Sequence, residues 1–169
     1  ITVDPSTGKT REYVFRAYFT DPYQGRIMAD FASDRLKAKK AAILIDNSSD
    51  YSRGVAEYFS ERCEAKGGKV TDKEAYLSKD VDFKSLLTKI LAQKPDILFV
   101  PGYYQEVGLI IRQAREMGAT MPIIGGDGWD SDKLIEIASP QNLQNTYFCN
   151  RYSRDDRNEA LQAFIKKYE

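Results

Sequence analysis

Ala41-Ala42-Ile43-Leu44-Ile45, followed by Asp46-Asn47-Ser48-Ser49-Asp50-Tyr51-Ser52-Arg53-Gly54, is the stretch that decides the fold. An unbroken apolar run this short reads as a strand covered on both faces. The polar loop after it opens a helix over residues 50–66. That helix carries Val55, Tyr58, Phe59 and Arg62 on one side and stops at Gly67-Gly68. A buried strand that feeds an amphipathic helix is the first half of a crossover, the connection that parallel strands require.

The same unit recurs on either side. Downstream, strands are predicted over residues 69–76, 96–100, 122–124 and 146–149. Helices are predicted over 82–93, 105–117, 131–138 (with Ser131 as cap) and 158–168. Upstream, residues 13–19 read as an extended segment and 21–36 as a helix, with Asp21 at its cap and Pro22 at the first position. The alternation predicts an α/β fold: a doubly wound, mainly parallel five-stranded sheet with helices on both faces. Residues 1–12 are polar, contain Pro5 and Gly8, and read as a linker.

Bulk properties narrow the function. A chain of 169 residues with 42% hydrophobic and 30% charged residues is one-domain size and not disordered in composition. Twenty-five basic residues balance 25 acidic ones with no basic stripe, which argues against a nucleic-acid partner. Lys37-Ala38-Lys39-Lys40 reads as a solvated helix end. Apolar runs such as Ile97-Leu98-Phe99-Val100 are far too short to span a bilayer.

Catalytic and metal chemistry is poorly supplied. Histidine, the commonest general base and metal ligand, is absent. Cys63 and Cys149 stand far apart without metal-ligand spacing and read as packed, inert thiols. Asp127, Asp130 and Asp132 lack the alternate spacing of a calcium loop, so no metal is expected. Ser6-Thr7-Gly8-Lys9-Thr10 ends like a phosphate loop, but Val3 stands where that motif needs its first glycine. Ser48 and Ser49 have no histidine to activate them. No cofactor is expected.

A doubly wound sheet binds ligands beyond the carboxyl ends of its strands, near the point where strand order reverses. Three loops meet that description. They are Asp46-Asn47-Ser48-Ser49-Asp50-Tyr51, Pro101-Gly102-Tyr103-Tyr104-Gln105-Glu106 and Gly125-Gly126-Asp127-Gly128-Trp129-Asp130. Aromatic walls exclude water, tyrosine hydroxyls orient a polar group, and a carboxylate among glycines admits a cation closely. A ligand with an ammonium group and an apolar body suits such a set.

Four segments carry a resemblance to a known family. They are Phe15-Arg16-Ala17-Tyr18-Phe19-Thr20-Asp21-Pro22-Tyr23-Gln24-Gly25, Ser48-Ser49-Asp50-Tyr51-Ser52, Phe99-Val100-Pro101-Gly102-Tyr103-Tyr104 and Gly125-Gly126-Asp127-Gly128-Trp129-Asp130-Ser131. In this order they resemble the leucine/isoleucine/valine-binding proteins, the type I periplasmic binding proteins of ABC importers. The resemblance implies one lobe of a two-lobe protein, with ligand held between the lobes. Residues 13–169 would be the second lobe and residues 1–12 an incoming hinge crossing, the first lobe lying outside this chain. It implies an amino acid ligand, an ABC permease as membrane partner, no catalysis, and a periplasmic location or a lipoprotein on a Gram-positive surface.

Carried over by position, Asp127 takes the ligand's α-ammonium, Tyr103 helps to hold it, and Tyr51 lines the cleft. Tyr104 and Trp129 are assigned pocket walls as their neighbours. The leucine-binding type carries glutamate where this chain has Asp127, which leaves room for a different or bulkier ligand. The alternative is a flavodoxin-like receiver or small α/β enzyme domain with Asp46 at a strand end. A receiver also wants an aspartate after the third strand, where this chain has Pro101-Gly102.

Overall fold

The computed structural model describes every residue except Ile1, Pro5, Arg154 and Glu169. The expected linker at Ile1 and Pro5, and the expected lobe at Arg154 and Glu169, therefore lie outside the described residues.

β1 (Lys40–Asp46) runs between β2 (Lys69–Tyr76) and β3 (Ile97–Val100), and its alternating side chains divide the core in two. Ala41 and Ile43 join Ile97, Phe99 and Ile124 on one face; Ala42 and Leu44 join Leu98, Val100 and Ile123 on the other. Both faces are covered, which is why the strand is apolar from Ala41 to Ile45. On the first face lie α1 (Asp21–Asp34) and α2 (Asp50–Ala65), contributing Met28, Ala32, Val55 and Phe59. On the second lie α3 (Lys84–Ala92), α4 (Tyr104–Glu116) and α5 (Asp132–Ala138), contributing Leu87, Ile90, Val107, Ile110 and Leu134.

β4 (Ile123–Gly125) and β5 (Thr146–Phe148) complete a five-stranded sheet in the order β2-β1-β3-β4-β5, every pair parallel. The doubly wound α/β fold expected from the sequence is the one observed. Order reverses between β1 and β3: one crossover leads from β1 to β2 at the edge, and later ones lead the other way. The loops after β1 and β3 therefore part and open a crevice at their carboxyl ends.

Helix ends follow local chemistry. Ser49 caps α2 by accepting the Ser52 N–H at 3.2 Å, and Gly67 ends it with φ +79°. Ser131 caps α5 by accepting the Lys133 N–H at 3.3 Å. The cap of α1 is Thr20 rather than Asp21, which moves into the first turn. A carboxylate there still faces the positive end of the helix, and Pro22 follows where a backbone N–H is dispensable. At Gly25 a Cβ would come within 2.6 Å of the Val55 carbonyl, so glycine lets α1 lie directly on α2.

Two further differences concern the ends. Residues 13–19 form no strand; the sheet begins at β1, and Tyr13 and Phe15 lie exposed. Within the expected linker, an antiparallel bridge joins Val3 to Thr10 around a turn in which Gly8 adopts φ +67°. At the other end, α6 (Glu159–Tyr168) buries none of its described residues. No helix among the described residues is long and apolar enough to cross a membrane.

Candidate ligand-binding site

The loop after β4 is built of small residues because three large groups lie against it. A Cβ on Gly125 would overlap the Trp129 indole, and one on Gly126 would overlap the Tyr51 hydroxyl. One on Gly128 would press within 2.6 Å of the Gly102 carbonyl. The loop closes into a 3₁₀ turn at Asp127–Trp129, and Asp127 emerges from it half-buried at the mouth of the crevice.

A phenol hydroxyl reaches that carboxylate. Tyr51, from the first turn of α2, donates to Asp127 Oδ1 at 2.9 Å. Its oxygen also lies 3.2 Å from Gln24 Oε1 and accepts a long bond of 3.5 Å from the Gly128 N–H. Gln24 is buried on α1 and accepts the Asp127 N–H at 3.2 Å, which fixes the loop from beneath. Tyr103, the cap residue of α4, lies beside Tyr51 with ring centroids 5.4 Å apart. Tyr18, from the segment before α1, lines the same hollow as Asp127.

The electrostatics agree with that arrangement. Burial first, then the Asp127 charge and hydrogen bond, push the Tyr51 phenol well above its usual range. Tyr18 is pushed up by burial and then by the neighbouring Asp127. Tyr103 rises through burial and the same charge. The Cys149 thiol, at the end of β5, is pushed up to about 11 by burial and by Asp127. Among the described residues Asp127 makes no ion pair.

The hollow in front of it has a volume of about 380 Å³ and is lined by Tyr18, Phe19, Tyr51, Tyr103, Tyr104 and Asp127, with Arg16 and Asp21 at its edge. That size falls within the range of small-molecule sites. A larger hollow of about 740 Å³ lies alongside, lined by Asp130, Phe148, Asn150 and Tyr152. No bond from a phenol to a carboxylate like that of Tyr51 to Asp127 is found there among the described residues, and the smaller hollow is the better candidate.

Four of the five residues singled out in the sequence are thus brought together: Asp127, Tyr51, Tyr103 and Tyr104. Trp129 is not. It is 1% exposed, its Nε1 donates to the Val100 carbonyl at 3.0 Å, and it packs beneath the loop against Gly125. Two residues escaped sequence reasoning. Gln24 is a polar residue on the inner face of an amphipathic helix, a signal that was available. Tyr18 gave none beyond being aromatic. Asp46, the acid of the receiver alternative, is buried, and its Oδ1 accepts the Ser48 N–H at 2.9 Å. It shapes its own loop, and nothing in its surroundings favours a phospho-acceptor.

Residues 2–169 match the family model described as periplasmic binding protein. The chain belongs to the periplasmic binding protein family. Among its relatives is a Leu/Ile/Val-binding protein homolog of Brucella melitensis, 30% identical over 95% of this chain and 44% of its own length. A leucine-binding protein of Thermotoga maritima superposes with TM-score 0.89 at 35% identity, over 98% of this chain and 47% of that one. A branched-chain amino acid substrate-binding protein of Streptococcus pneumoniae, in complex with isoleucine, gives TM-score 0.86 at 36% identity over 92% and 44%. This periplasmic binding protein chain spans under half the length of these relatives. They are described as binding proteins, not enzymes.

Proposed function

We propose that the chain is one ligand-binding lobe of an extracytoplasmic solute-binding protein that serves an ABC importer. Its ligand is an apolar amino acid, branched-chain or larger. The observation that carries the reading is Asp127: a half-buried carboxylate after β4, beside the crevice at the switch point, that accepts the Tyr51 hydroxyl and makes no ion pair among the described residues. In this reading Asp127 takes the α-ammonium, Tyr103 and Tyr51 flank it, and Tyr104 walls the apolar side. Trp129 supports the loop from below. Residues 1–12 form one crossing to a second lobe, which grips the carboxylate and closes over the ligand. The closed form then docks on a membrane permease, in the periplasm or at a Gram-positive surface. The relatives' names and the isoleucine complex support the ligand class.

Half a site binds weakly. A micromolar ligand has about −8 kcal/mol of binding free energy. Leaving one partner of a buried charge pair unmatched costs about 3–5 kcal/mol. The chain by itself is therefore expected to bind leucine or isoleucine at millimolar concentration or weaker. An NMR titration of the chain with these amino acids, beside Asp127→Ala, tests it. Shifts confined to the Asp127, Tyr51 and Tyr103 loops, lost in the variant, support the reading. A low-micromolar affinity, or shifts unaffected by Asp127→Ala, would overturn it.

A further inference from the structure

Gln24 is 2% exposed on α1, one residue before the Gly25 that lets this helix lie on α2. The close approach brings its amide oxygen to groups from three other parts of the fold. It accepts the Asp127 N–H at 3.2 Å and the Cys149 S–H at 3.6 Å, and the Tyr51 hydroxyl oxygen stands 3.2 Å away. Gly126 leaves the room for it, since a Cβ there would lie 2.9 Å from Gln24 Oε1.

The Tyr51 hydroxyl has one proton and two acceptors within reach, Asp127 Oδ1 at 2.9 Å and Gln24 Oε1 at 3.2 Å. The carboxylate is charged and nearer, so it takes the proton. Gln24 then spends a lone pair on a thiol, a weak donor that a phenol displaces. Resting on the reading of Asp127 as the seat of a ligand ammonium, we infer that Gln24 is a positioning residue for that ligand: its amide oxygen takes over the Tyr51 proton when the ammonium reaches Asp127. The ammonium neutralises the carboxylate and removes its advantage as an acceptor. With the proton turned to Gln24, a Tyr51 lone pair faces the ammonium in place of a repelling O–H dipole. Tyr103 keeps its place beside the Tyr51 ring, and Gln24 acts through Tyr51 alone.

The first test needs no ligand. In the chain labelled at tyrosine Cζ, the Tyr51 signal, assigned by its loss in Tyr51→Phe, reports which acceptor holds the proton. Asp127→Asn removes the charge, so it should move the Tyr51 signal toward the position that saturating L-leucine gives in wild type. Adding Gln24→Met, close in length but without the amide oxygen, should cancel that movement. An NMR titration with L-leucine reads the consequence. Gln24→Met should weaken binding about five-fold, the size of one hydrogen bond between neutral groups. In the Tyr51→Phe background the same substitution should weaken it by less than about two-fold. If Gln24→Met costs the same factor with and without the Tyr51 hydroxyl, or the Tyr51 signal answers L-leucine in Gln24→Met as it does in wild type, Gln24 only supports the loop. The inference then falls and the ammonium seat stands. Should Gln24→Met fail to fold, Asp127→Asn decides by itself, and an unmoved Tyr51 signal overturns the inference. If Asp127→Ala binds L-leucine as the wild type does, the ammonium seat falls and the inference with it.

Discussion

Replacing Gly126 with alanine probes the contact on which the site depends. Backbone strain is not the reason for glycine at this position. Its φ of −97° and ψ of −173° are extended values open to any residue. The obstacle is the methyl itself, which would overlap the Tyr51 hydroxyl oxygen and approach Gln24 Oε1 to 2.9 Å. A phenol has no flexible end, so the hydroxyl can leave only if the ring swings. That breaks the 2.9 Å bond to Asp127 Oδ1. A hydrogen bond to a charged group contributes about 1.5–3 kcal/mol, and this half-exposed one belongs at the lower end. Gly→Ala at a compatible backbone returns about 0.4–1 kcal/mol through the unfolded chain. Gly126→Ala alone should therefore destabilise by about 1 kcal/mol. Tyr51→Phe breaks the same bond and removes the clash. The nearest ring atom to the new methyl is then Tyr51 Cζ at 3.4 Å, an ordinary contact, and only the end of the Gln24 side chain must yield. In the Tyr51→Phe background Gly126→Ala should be nearly neutral, giving a coupling of about 1–2 kcal/mol in a double-mutant cycle. Urea unfolding followed by circular dichroism measures all four proteins. Additivity within about 0.3 kcal/mol would refute the contact between Gly126 and Tyr51.

Trp129→Ala should cost about 3–5 kcal/mol in the same assay, because it empties a buried indole site and removes the bond from Nε1 to the Val100 carbonyl; a loss below 1 kcal/mol would mean the indole is not packed as described. Alkali should destabilise the fold. The folded chain holds the Cys149 proton up to about 11 against an ordinary value of 9.0, and it raises Tyr51 and Tyr76 as well. Folding thus favours the protonated forms, so their contribution is complete below pH 9 and is lost as pH rises through 11. The urea midpoint should fall across that window, and a flat profile would contradict it. Asp30 bonds Arg62 at 2.8 Å and lies 3.3 Å from Lys66, and these contacts lower its pKa, Arg62 foremost. Its stabilisation is present above the carboxylate range and fades as pH falls below it. Because the pairs are solvent-screened, Asp30→Asn should cost under about 1 kcal/mol.

The fold was legible because its strands and helices differ in period. Strands covered on both faces read as unbroken apolar runs, and Gly67 and Ser131 marked helix ends within one or two residues. Residues 13–19 misled because an aromatic-rich stretch looks like a strand whether or not a partner strand exists. The candidate site was legible in part, since the rule on strand ends selects loops and not side-chain directions. Asp127 and Trp129 illustrate the limit. In a 3₁₀ turn two residues of separation rotate a side chain by about 240°. Asp127 therefore faces the hollow while Trp129 points beneath it, although both stand in the same short motif. Tyr18 stands in a segment that carries the resemblance but was assigned no role, and its ring contact with Arg151, more than a hundred positions away, has no local signal.

Glycine in the loop Gly125-Gly126-Asp127-Gly128 follows from packing. None of these three glycines needs a positive φ. Each instead admits a group that a methyl would displace: the indole of Trp129, the hydroxyl of Tyr51, the carbonyl of Gly102. Aspartate is the only member of the four with a side chain, so it is the only one to reach the hollow. The loop thereby brings a negative charge close to a sheet edge without any basic residue to neutralise it. Such a charge is tolerated because Asp127 is only partly buried and accepts the Tyr51 hydroxyl; in the proposed function a ligand ammonium would be attracted to it. Substituting any of the three glycines should therefore disturb the ligand seat before it unfolds the sheet. The effect should be most direct at Gly126, because the Tyr51 hydroxyl it admits is bonded to Asp127, whereas the Trp129 indole that Gly125 admits belongs to the core.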